Sequence, residues 1–446
     1  MIVMGLQIIT VGGYSEIGRN CTLIKVDNEA VLLDLGLHMD HYIAYTEESE
    51  DLPKKDLSAE ALIRVNAVPN IHHIQDLLPK VKAICISHAH LDHLGAVPFL
   101  SNKFRAGIHG TNYTIEVLKS MVNNEKIALR NEMLAHPVNS KFKVSNKISI
   151  EFINVTHSIP QAVIIAVHTP YGVVVYANDF KLDNAPTLGE KPNFKRLEEL
   201  GQKKVKVLIV DSLYADTPMK TPSESIAKEM LKDVLLGVNS KGKAVIITTF
   251  SSHIARLRSI VELARKLKRR PVFIGRSLDK YITAAKNAGI IDLEKEADHV
   301  KFGSKVGKFF KKVKHPEKQM FIVTGHQGEP GAILSRMVFQ HLYKFEEEDH
   351  VIFSCSVIPV ENNIRNREKL DKALKEKKIR LFTDVHVSGH AFREDHRDLI
   401  HLLKPENIIP THGNKKKLDA MKELCLEMGY KHDKIHILHN GVQVNF

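Results

Sequence analysis

Ser87-His88-Ala89-His90-Leu91-Asp92-His93 sets three imidazoles and one carboxylate within the six positions 88 to 93. A lone His-x-His would mean little, since most such pairs are satisfied core histidines. Here the segment follows a buried-type strand, Ala83–Ile86, and precedes a helix expected over Gly95–Lys103. A strand end that turns sharply can point His88 and His90 one way and Asp92 and His93 to an adjacent point, which supplies ligands for two metals a few Å apart. Imidazoles and carboxylates without thiolate suit Zn²⁺ or Mn²⁺ rather than a Cys-type structural zinc. Two metals need more ligands, and three more strand ends offer them: His157 after Phe152–Val155, Asp179 after Val173–Tyr176, and His412 after Ile408–Ile409. Asp179 would bridge the metals and help position an attacking hydroxide. Asp34, closing Val31–Leu33, would orient a histidine through its other ring nitrogen.

The elements that must carry these residues change character along the chain. The first ~200 residues are strand-rich, with strands expected at Gln7–Thr10, Asn20–Val26, Ala30–Asp34, Ala83–Ser87, Ile148–Val155, Ala162–His168 and Val173–Asn178. Besides Gly95–Lys103, only Thr111–Glu125 reads as a helix there. From Lys204 onward apolar strands (Val205–Val210, Ala244–Phe250, Pro271–Ile274, Met320–Thr324, Val351–Ser354, Ile379–Asp384) alternate with helical patterns such as Ser252–Lys268 and Asn362–Lys377. Alternation of this kind means a parallel sheet with helices on both faces. The last stretch adds helices at Arg393–Leu403 and Lys415–Glu427 and strands at Asn407–Pro410 and Lys434–Leu438. The acidic clusters Glu47–Asp51 and Glu346–Asp349 read as solvated loops.

With 446 residues, 43% hydrophobic and 26% charged, the chain is neither disordered nor a small disulfide scaffold, and two or three domains are expected. A net charge of +12 favours a polyanionic partner such as nucleic acid, although Lys- and Glu-rich surfaces also suit hot-growing organisms. Four cysteines (Cys21, Cys85, Cys355, Cys425), with no Cys-x-x-Cys, point to a reducing cytosol. The start of the chain does not read as a signal peptide, and the run Gln161–Asn178 is broken by His168, Pro170 and Gly172, so no membrane span is expected.

Asp34, the His-Ala-His-Leu-Asp-His loop, His157 and Asp179, in this order, resemble the four metal-ligand motifs of the metallo-β-lactamase fold. Asp211 in Ile209-Val210-Asp211-Ser212, His390 in His386-Val387-Ser388-Gly389-His390, and His412 in Pro410-Thr411-His412-Gly413 resemble the three further motifs of the β-CASP nucleases. Thr249-Phe250-Ser251-Ser252, Gly275-Arg276-Ser277 and Thr324-Gly325-His326-Gln327-Gly328-Glu329-Pro330 are similar to the ribonuclease J branch, its archaeal type above all. The resemblance covers the whole chain. It implies an α/β fold, a metallo-β-lactamase αββα sandwich with an inserted β-CASP domain built on a mainly parallel, helix-flanked sheet, divided at 1–205, 206–372 and 373–446. The bacterial C-terminal domain and the N-terminal KH modules of the cleavage-factor-like branch are missing from it, which counts against dimerisation by the bacterial route. His326 stands where a serine is common.

Carried onto these positions, the family's roles give His88, His90 and His157 to one Zn²⁺ and Asp92, His93 and His412 to the other, with Asp179 shared and Mn²⁺ as a substitute. His390 would protonate the leaving ribose oxygen and Asp211 would tune that proton path; on residues alone, Asp211 reads as a helix N-cap and His390 as a solvent-exposed loop histidine. His386, Ser388, Gly389, His390 and Ala391, with Gly325, His326, Gln327 and Gly328, would line a pocket for an RNA 5′-monophosphate, their backbone N–H groups cradling it. Two basic stretches could track an RNA backbone or be solvated helices with core phenylalanines. One comprises Lys301, Lys305, Lys308, Lys311, Lys312 and Lys314 with Phe302, Phe309 and Phe310; the other comprises Arg256, Arg258, Arg265, Lys266, Lys268, Arg269 and Arg270. The implied activity is processive 5′-to-3′ hydrolysis of single-stranded RNA with 5′-monophosphate ends, in cytoplasmic RNA decay and rRNA maturation. A homodimer and contacts with other RNA-decay or ribosomal components are further expectations. An endonuclease of the cleavage-factor type is the alternative; a small-molecule metallo-hydrolase would need neither the insert nor His390, a DNA-processing member usually lacks histidine at position 412, and a non-catalytic scaffold would have lost ligands.

Overall fold

The computed structural model describes residues 5–48, 57–301, 303–358 and 360–446. Two compact units emerge, the first from Met1–Asn184, Glu190–Thr221 and Gly389–Phe446, the second from Ala185–Gly189 and Pro222–Ser388. The boundaries expected at 205/206 and 372/373 fall differently because of strand pairing. Val205–Asp211 lies between two strands of a first-unit sheet, and Arg380–Phe382 is an edge strand of the second unit's sheet.

The first unit holds two sheets. One contains β1 (Leu6–Gly12), β2 (Cys21–Val26), β3 (Glu29–Leu33), β4 (Val81–Cys85), β5 (Gly107–Thr111) and β6 (Met133–His136); the other contains β7 (Ser140–Lys143), β8 (Ser149–Asn154), β9 (Val163–Thr169), β10 (Gly172–Ala177) and β11 (Val205–Asp211). The second unit is one sheet of β12 (Val245–Thr248), β13 (Arg270–Ile274), β14 (Asp298–Val300), β15 (Gln319–Val323), β16 (His350–Phe353) and β17 (Arg380–Phe382). The chain then returns to the first unit, where β18 (Asn407–Thr411) pairs with β11 and β19 (Gln443–Asn445) pairs with β1.

Alternation along β9 shows how the first unit is layered. Val163, Ile165 and Val167 face a core shared with Leu6, Ile24, Val31 and Ala83 of the first sheet, while Ile164 and Ala166 face a second core completed by Leu197, Leu399, Leu403 and Leu424. Those leucines belong to the helices Phe194–Gly201, Arg393–Leu403 and Lys415–Glu427. Both faces of a strand are buried in this way only when a sheet packs against a sheet on one side and helices on the other. The second unit's strands, in the order β14-β13-β15-β12-β16-β17, are parallel at every pairing. Its core gathers Ile246, Val272, Phe321, Val351, Leu370 and Leu374. The α/β class and both architectures agree with the sequence.

Several local expectations change. Gly95–Lys103 is not one helix: Leu91–Leu94 and Val97–Leu100 are separate short helices, the second with Pro98 in its first turn. Lys434–Leu438 is not a strand: Ile435 makes a single bridge to Ile408, and β18 remains the edge of its sheet. The helices Met39–Glu48 and Ala59–Arg64 and the 3-10 segment Ile71–Lys80 carried no clear sequence signal. Of the acidic run at 47–51, residues 47–48 end a helix and 49–51 lie outside the described residues. Asp349 is no solvated loop residue: it is 2% exposed, and its carboxylate accepts hydrogen bonds from the Ala244 and Glu346 N–H groups.

In the lysine-rich helix Gly303–Lys312, Phe310 is buried and Phe309 packs against the same core, so neither can stack on a base; Phe302 lies outside the described residues. The arginine-rich stretch is mostly engaged within the protein. Arg256 and Arg269 are buried, and Arg258, Arg265 and Arg270 pair with Glu262, Glu296 and Asp298. The four cysteines are buried and free. Among the described residues, no helix is long and apolar enough to cross a membrane.

Candidate metal centre

β10, β11 and β18 run parallel, and β8 runs with them across two antiparallel pairings through β9, so the carboxyl ends of all four lie at one end of their sheet. His157 follows β8, Asp179 follows β10, Asp211 closes β11 and His412 follows β18. β3 and β4 are likewise parallel, and their ends carry Asp34 and the His88–His93 loop. Asp34, Asp179 and His412 each take a left-handed backbone, with φ of 58°, 47° and 53°. Aspartate and histidine tolerate that conformation better than branched residues, and its cost is typical of sites where a turn must aim a side chain. Gly36 serves the same end, since a Cβ there would overlap the Asp92 carbonyl.

The donor atoms converge. His88 Nε2 and His157 Nε2 lie 3.2 and 3.0 Å from His90 Nδ1, and each is 3.6 Å from Asp179 Oδ2. Hydrogen bonds on the outer nitrogens decide where the ring hydrogens sit. His157 Nδ1 donates to the Gly389 carbonyl at 2.7 Å, and His88 Nδ1 donates at 3.0 Å to Ser87 Oγ, whose own hydrogen goes to Asp34. His93 Nδ1 donates to Asp34 at 2.7 Å and its Nε2 faces Asp179 at 3.3 Å and Asp92 at 3.5 Å; burial opposes charge on this ring, but the three carboxylates hold it well above the ordinary histidine range. Bare lone pairs and carboxylate oxygens facing one another repel unless a cation lies among them, and Asp179 Oδ1 is buried without a hydrogen-bond partner. The donor set fits metal ions, and its nitrogen and oxygen chemistry fits the zinc class.

Electrostatics agree. Burial and neighbouring imidazoles push His88 and His157 well below the ordinary histidine range, and burial takes His90 down to about 4, so these rings are neutral, the form that ligates a metal. Burial alone would raise Asp179, but His93, His390 and His412 outweigh it and keep it ionised. His390 Nδ1 lies 3.4 Å from Asp211 Oδ2 and 3.9 Å from Asp179 Oδ2. Burial opposes charge on His390, yet the two carboxylates hold the ring up at about 9. Asp211 is no helix cap: its Oδ1 accepts from the Leu213 N–H within a turn, and the next helix starts at Glu224. His390 is only one-fifth exposed rather than a free loop histidine.

His412 approaches this centre differently from the other histidines. Its Nε2 is 3.7 Å from Asp179 and 3.8 Å from Asp92, but it stands outside the groups whose donors lie within 4.8 Å of one another. The Gly18 N–H donates to His412 Nδ1 at 3.3 Å, which leaves the ring's hydrogen on Nε2. Beside it lies a residue the motifs did not flag: Asn20, 1% exposed, whose amide nitrogen is 3.1 Å from the Asp92 carbonyl, from His93 Nε2 and from His412 Nδ1. Tyr176 was missed as well; its hydroxyl donates to Asp34 at 3.0 Å. A buried-type strand gives no sign that one tyrosine ends on a carboxylate.

The expected phosphate loops divide between the units: Gly325–Gly328, His386 and Ser388 in the second, and Gly389, His390 and Ala391 in the first. In the former loop the Gln327 and Gly328 N–H groups already donate to Glu329 and to the Gly325 carbonyl, so these two amides are not open to a phosphate. The Gln327 side chain is spent on Ser356 and Ile358, and His326 packs on Phe250 with ring centroids 4.3 Å apart. Gly389 has a packing reason to be glycine, since a Cβ would come within 2.9 Å of the Ser158 nitrogen.

The sandwich, its insert and the histidine–aspartate centre together define a metallo-β-lactamase-type hydrolase carrying a β-CASP domain. Residues 59–247 match the beta-lactamase superfamily domain, 242–370 the ribonuclease J beta-CASP domain, and 376–438 the Zn-dependent metallo-hydrolase RNA specificity domain. The chain is 40% identical to ribonuclease J of Methanocaldococcus jannaschii, over 99% of both chains. It is 42% identical to ribonuclease J of Pyrococcus abyssi, over 98% of this chain and 96% of that one. Ribonuclease J of Mycolicibacterium smegmatis is 30% identical over 99% of this chain but 75% of its own length. A crystal structure of a protein of unknown function from Enterococcus faecalis superposes with a TM-score of 0.66 at 17% identity, covering 99% of this chain and all of that one, which speaks for the fold alone. The chain belongs to the ribonuclease J family and is a metal-dependent hydrolytic nuclease.

Proposed function

We propose that the protein hydrolyses single-stranded RNA from the 5′ end, taking 5′-monophosphate ends, with two divalent cations of the Zn²⁺ or Mn²⁺ type. The observation that carries this reading is a single buried carboxylate, Asp179, common to three donor groups: with His88, His90 and His157; with Asp92 and His93; and with Asp211 and His390. The first set would hold one cation and the second another, with His412 at its edge. Bound there, divalent cations supply Lewis acidity and charge neutralisation at a phosphodiester.

The chain's own residues supply the rest. Asp34 holds His93 in one tautomer through Nδ1, and Ser87 and Gly389 do the same for His88 and His157. Asp211, facing His390 Nδ1, leaves the Nε2–H of the imidazolium to protonate the leaving oxygen, and a ring that titrates near 9 keeps that proton at neutral pH. Support for RNA comes from the matched RNA specificity domain and the ribonuclease J relatives. Support for 5′-end capture is the glycine-containing segment Ser388–Ala391, which runs directly into the helix Arg393–Leu403. Four reduced, buried cysteines suit the cytoplasm.

The test follows uniformly labelled single-stranded RNA bearing a 5′-monophosphate or a 5′-triphosphate during digestion, with products resolved by size. Mononucleotides from the monophosphate form, with little from the triphosphate, are expected. Discrete internal fragments indifferent to the 5′ end would make the protein an endonuclease.

A further inference from the structure

Arg256 looks from the sequence like one more cation in a basic helix, yet it is fully buried and cannot touch a substrate. Each nitrogen of its guanidinium is spoken for. Nε and Nη2 donate to the two oxygens of Glu224 at 2.6 and 2.8 Å; Nη1 donates to the Ser354 carbonyl at 2.9 Å, to Ser354 Oγ at 2.8 Å and to the Val385 carbonyl at 3.3 Å. Filling this space would take only an apolar side chain. A rigid planar fork satisfied on every side instead sets the mutual register of the segments it joins.

Those segments lie near the two ends of the second unit's main stretch, Pro222–Ser388, with a strand end between them. Glu224 stands two residues after the unit begins at Pro222, Ser354 follows β16, and Val385 stands three residues before the unit ends at Ser388. Residues 383–388 form no regular strand or helix. Val385 ties them to the sheet: its carbonyl also accepts from Ser354 Oγ at 2.9 Å and its N–H donates to the Phe353 carbonyl at 3.3 Å. The residue before it, Asp384, takes a left-handed backbone with φ of 58°, a conformation that persists where surrounding bonds over-determine it.

We infer that Arg256 is a positioning residue for the nuclease reaction: through Ser354 and Val385 it sets the register of the segment that carries His386 and Ser388. The inference rests on the roles proposed for that segment above.

The test compares purified full-length wild type, Arg256→Lys and Ser354→Ala on the same RNA carrying a 5′-monophosphate or a 5′-hydroxyl, with kcat and KM separated and thermal melting measured alongside. Arg256→Lys keeps the charge and loses the fork; Ser354→Ala leaves the Glu224 pair intact and removes one anchor on Val385. The expected result is that Arg256→Lys loses about tenfold or more in kcat/KM on the monophosphate RNA, with its preference over the hydroxyl RNA flattened, and that Ser354→Ala moves the same way by a smaller factor. Folded variants that keep wild-type kcat and end preference would overturn the inference. So would a Ser354→Ala enzyme of wild-type kinetics beside an Arg256→Lys chain that has merely lost its fold, since Arg256 would then serve stability alone. A wild type without end preference would instead sink the 5′-end reading, and the kcat comparison would still decide on Arg256.

Discussion

At the strand ends of the first unit, the rings of His88, His90, His93 and His157 gather with the Asp179 carboxylate; at the strand ends of the second, polar groups turn toward each other. Thr249 Oγ1 donates to the Ser354 carbonyl, Ser251 and Ser277 share a hydrogen bond at 3.0 Å, and Gln327 is bonded at both ends of its amide. Both units bring loops to the carboxyl ends of parallel strands, where α/β proteins place their sites. The difference lies in which side chains gather there. Among the described residues, every group of three or more side chains able to share a cation includes Asp179, which marks the place suited to receive one. In the second unit Thr249, Ser251, Ser277 and Gln327 bond within their loops, an arrangement suited to holding a fixed shape.

Breaking the shared carboxylate tests this contrast hardest. Asp179→Asn keeps the shape and removes the charge common to the donor groups; the expected outcome is a fall in RNA hydrolysis of about 10⁴-fold or more, with metal content by elemental analysis reduced. Retained activity would move the centre elsewhere. Next comes His390→Ala, expected to abolish turnover on the scale of about 10²–10⁴ for a lost general acid while metal content stays intact. Loss of metal in that variant would make His390 a ligand, as its place in a donor group with Asp179 and Asp211 allows. Asp34→Asn should act one step out, weakening metal retention by about 10–100-fold in a chelator titration, because His93 loses the acceptor that fixes its tautomer.

Two smaller effects separate structural charge from functional charge. Glu151 is buried, which alone would raise its pKa, but His168 and Arg196 outweigh this and hold it at about 2. Its folded pKa thus lies below an unfolded value near 4.3, so its contribution, roughly 3 kcal/mol, is complete above about pH 5 and lost as pH falls toward 2. Chemical denaturation of wild type and Glu151→Gln should therefore differ at pH 7 and converge in acid; a gap independent of pH would assign the loss to packing. Changing Lys305, Lys308 and Lys311 together to Gln should leave the salt dependence of RNA binding unchanged, since the phenylalanines interleaved with them in this helix belong to the core. A drop of about 2 in the log–log slope would show that these lysines track the backbone.

Legibility followed distance along the chain. The His88–His93 loop, the strands beneath it and the alternation of the second unit are local patterns, and each could be read directly. Phe309 and Phe310 could not be assigned between stacking and core, because helical spacing is the same for both. Arg256 was grouped with its basic neighbours because charge is visible in a sequence and burial is not. Glu346–Asp349 looked solvated for the same reason.

What the sequence by itself determined is the chemistry on offer: which side chains could ligate, which carboxylate could be shared, and the α/β class of both units, because ligand type and hydrophobic period are properties of short segments. Only the tertiary structure decided tautomers, charge states and supports. Asn20 meets His412 across 392 residues of chain, Tyr176 meets Asp34 across 142, and His157 is oriented by Gly389 across 232. These contacts exist only after two sheets and a returning strand have folded around them, and no local pattern encodes a partner that far away.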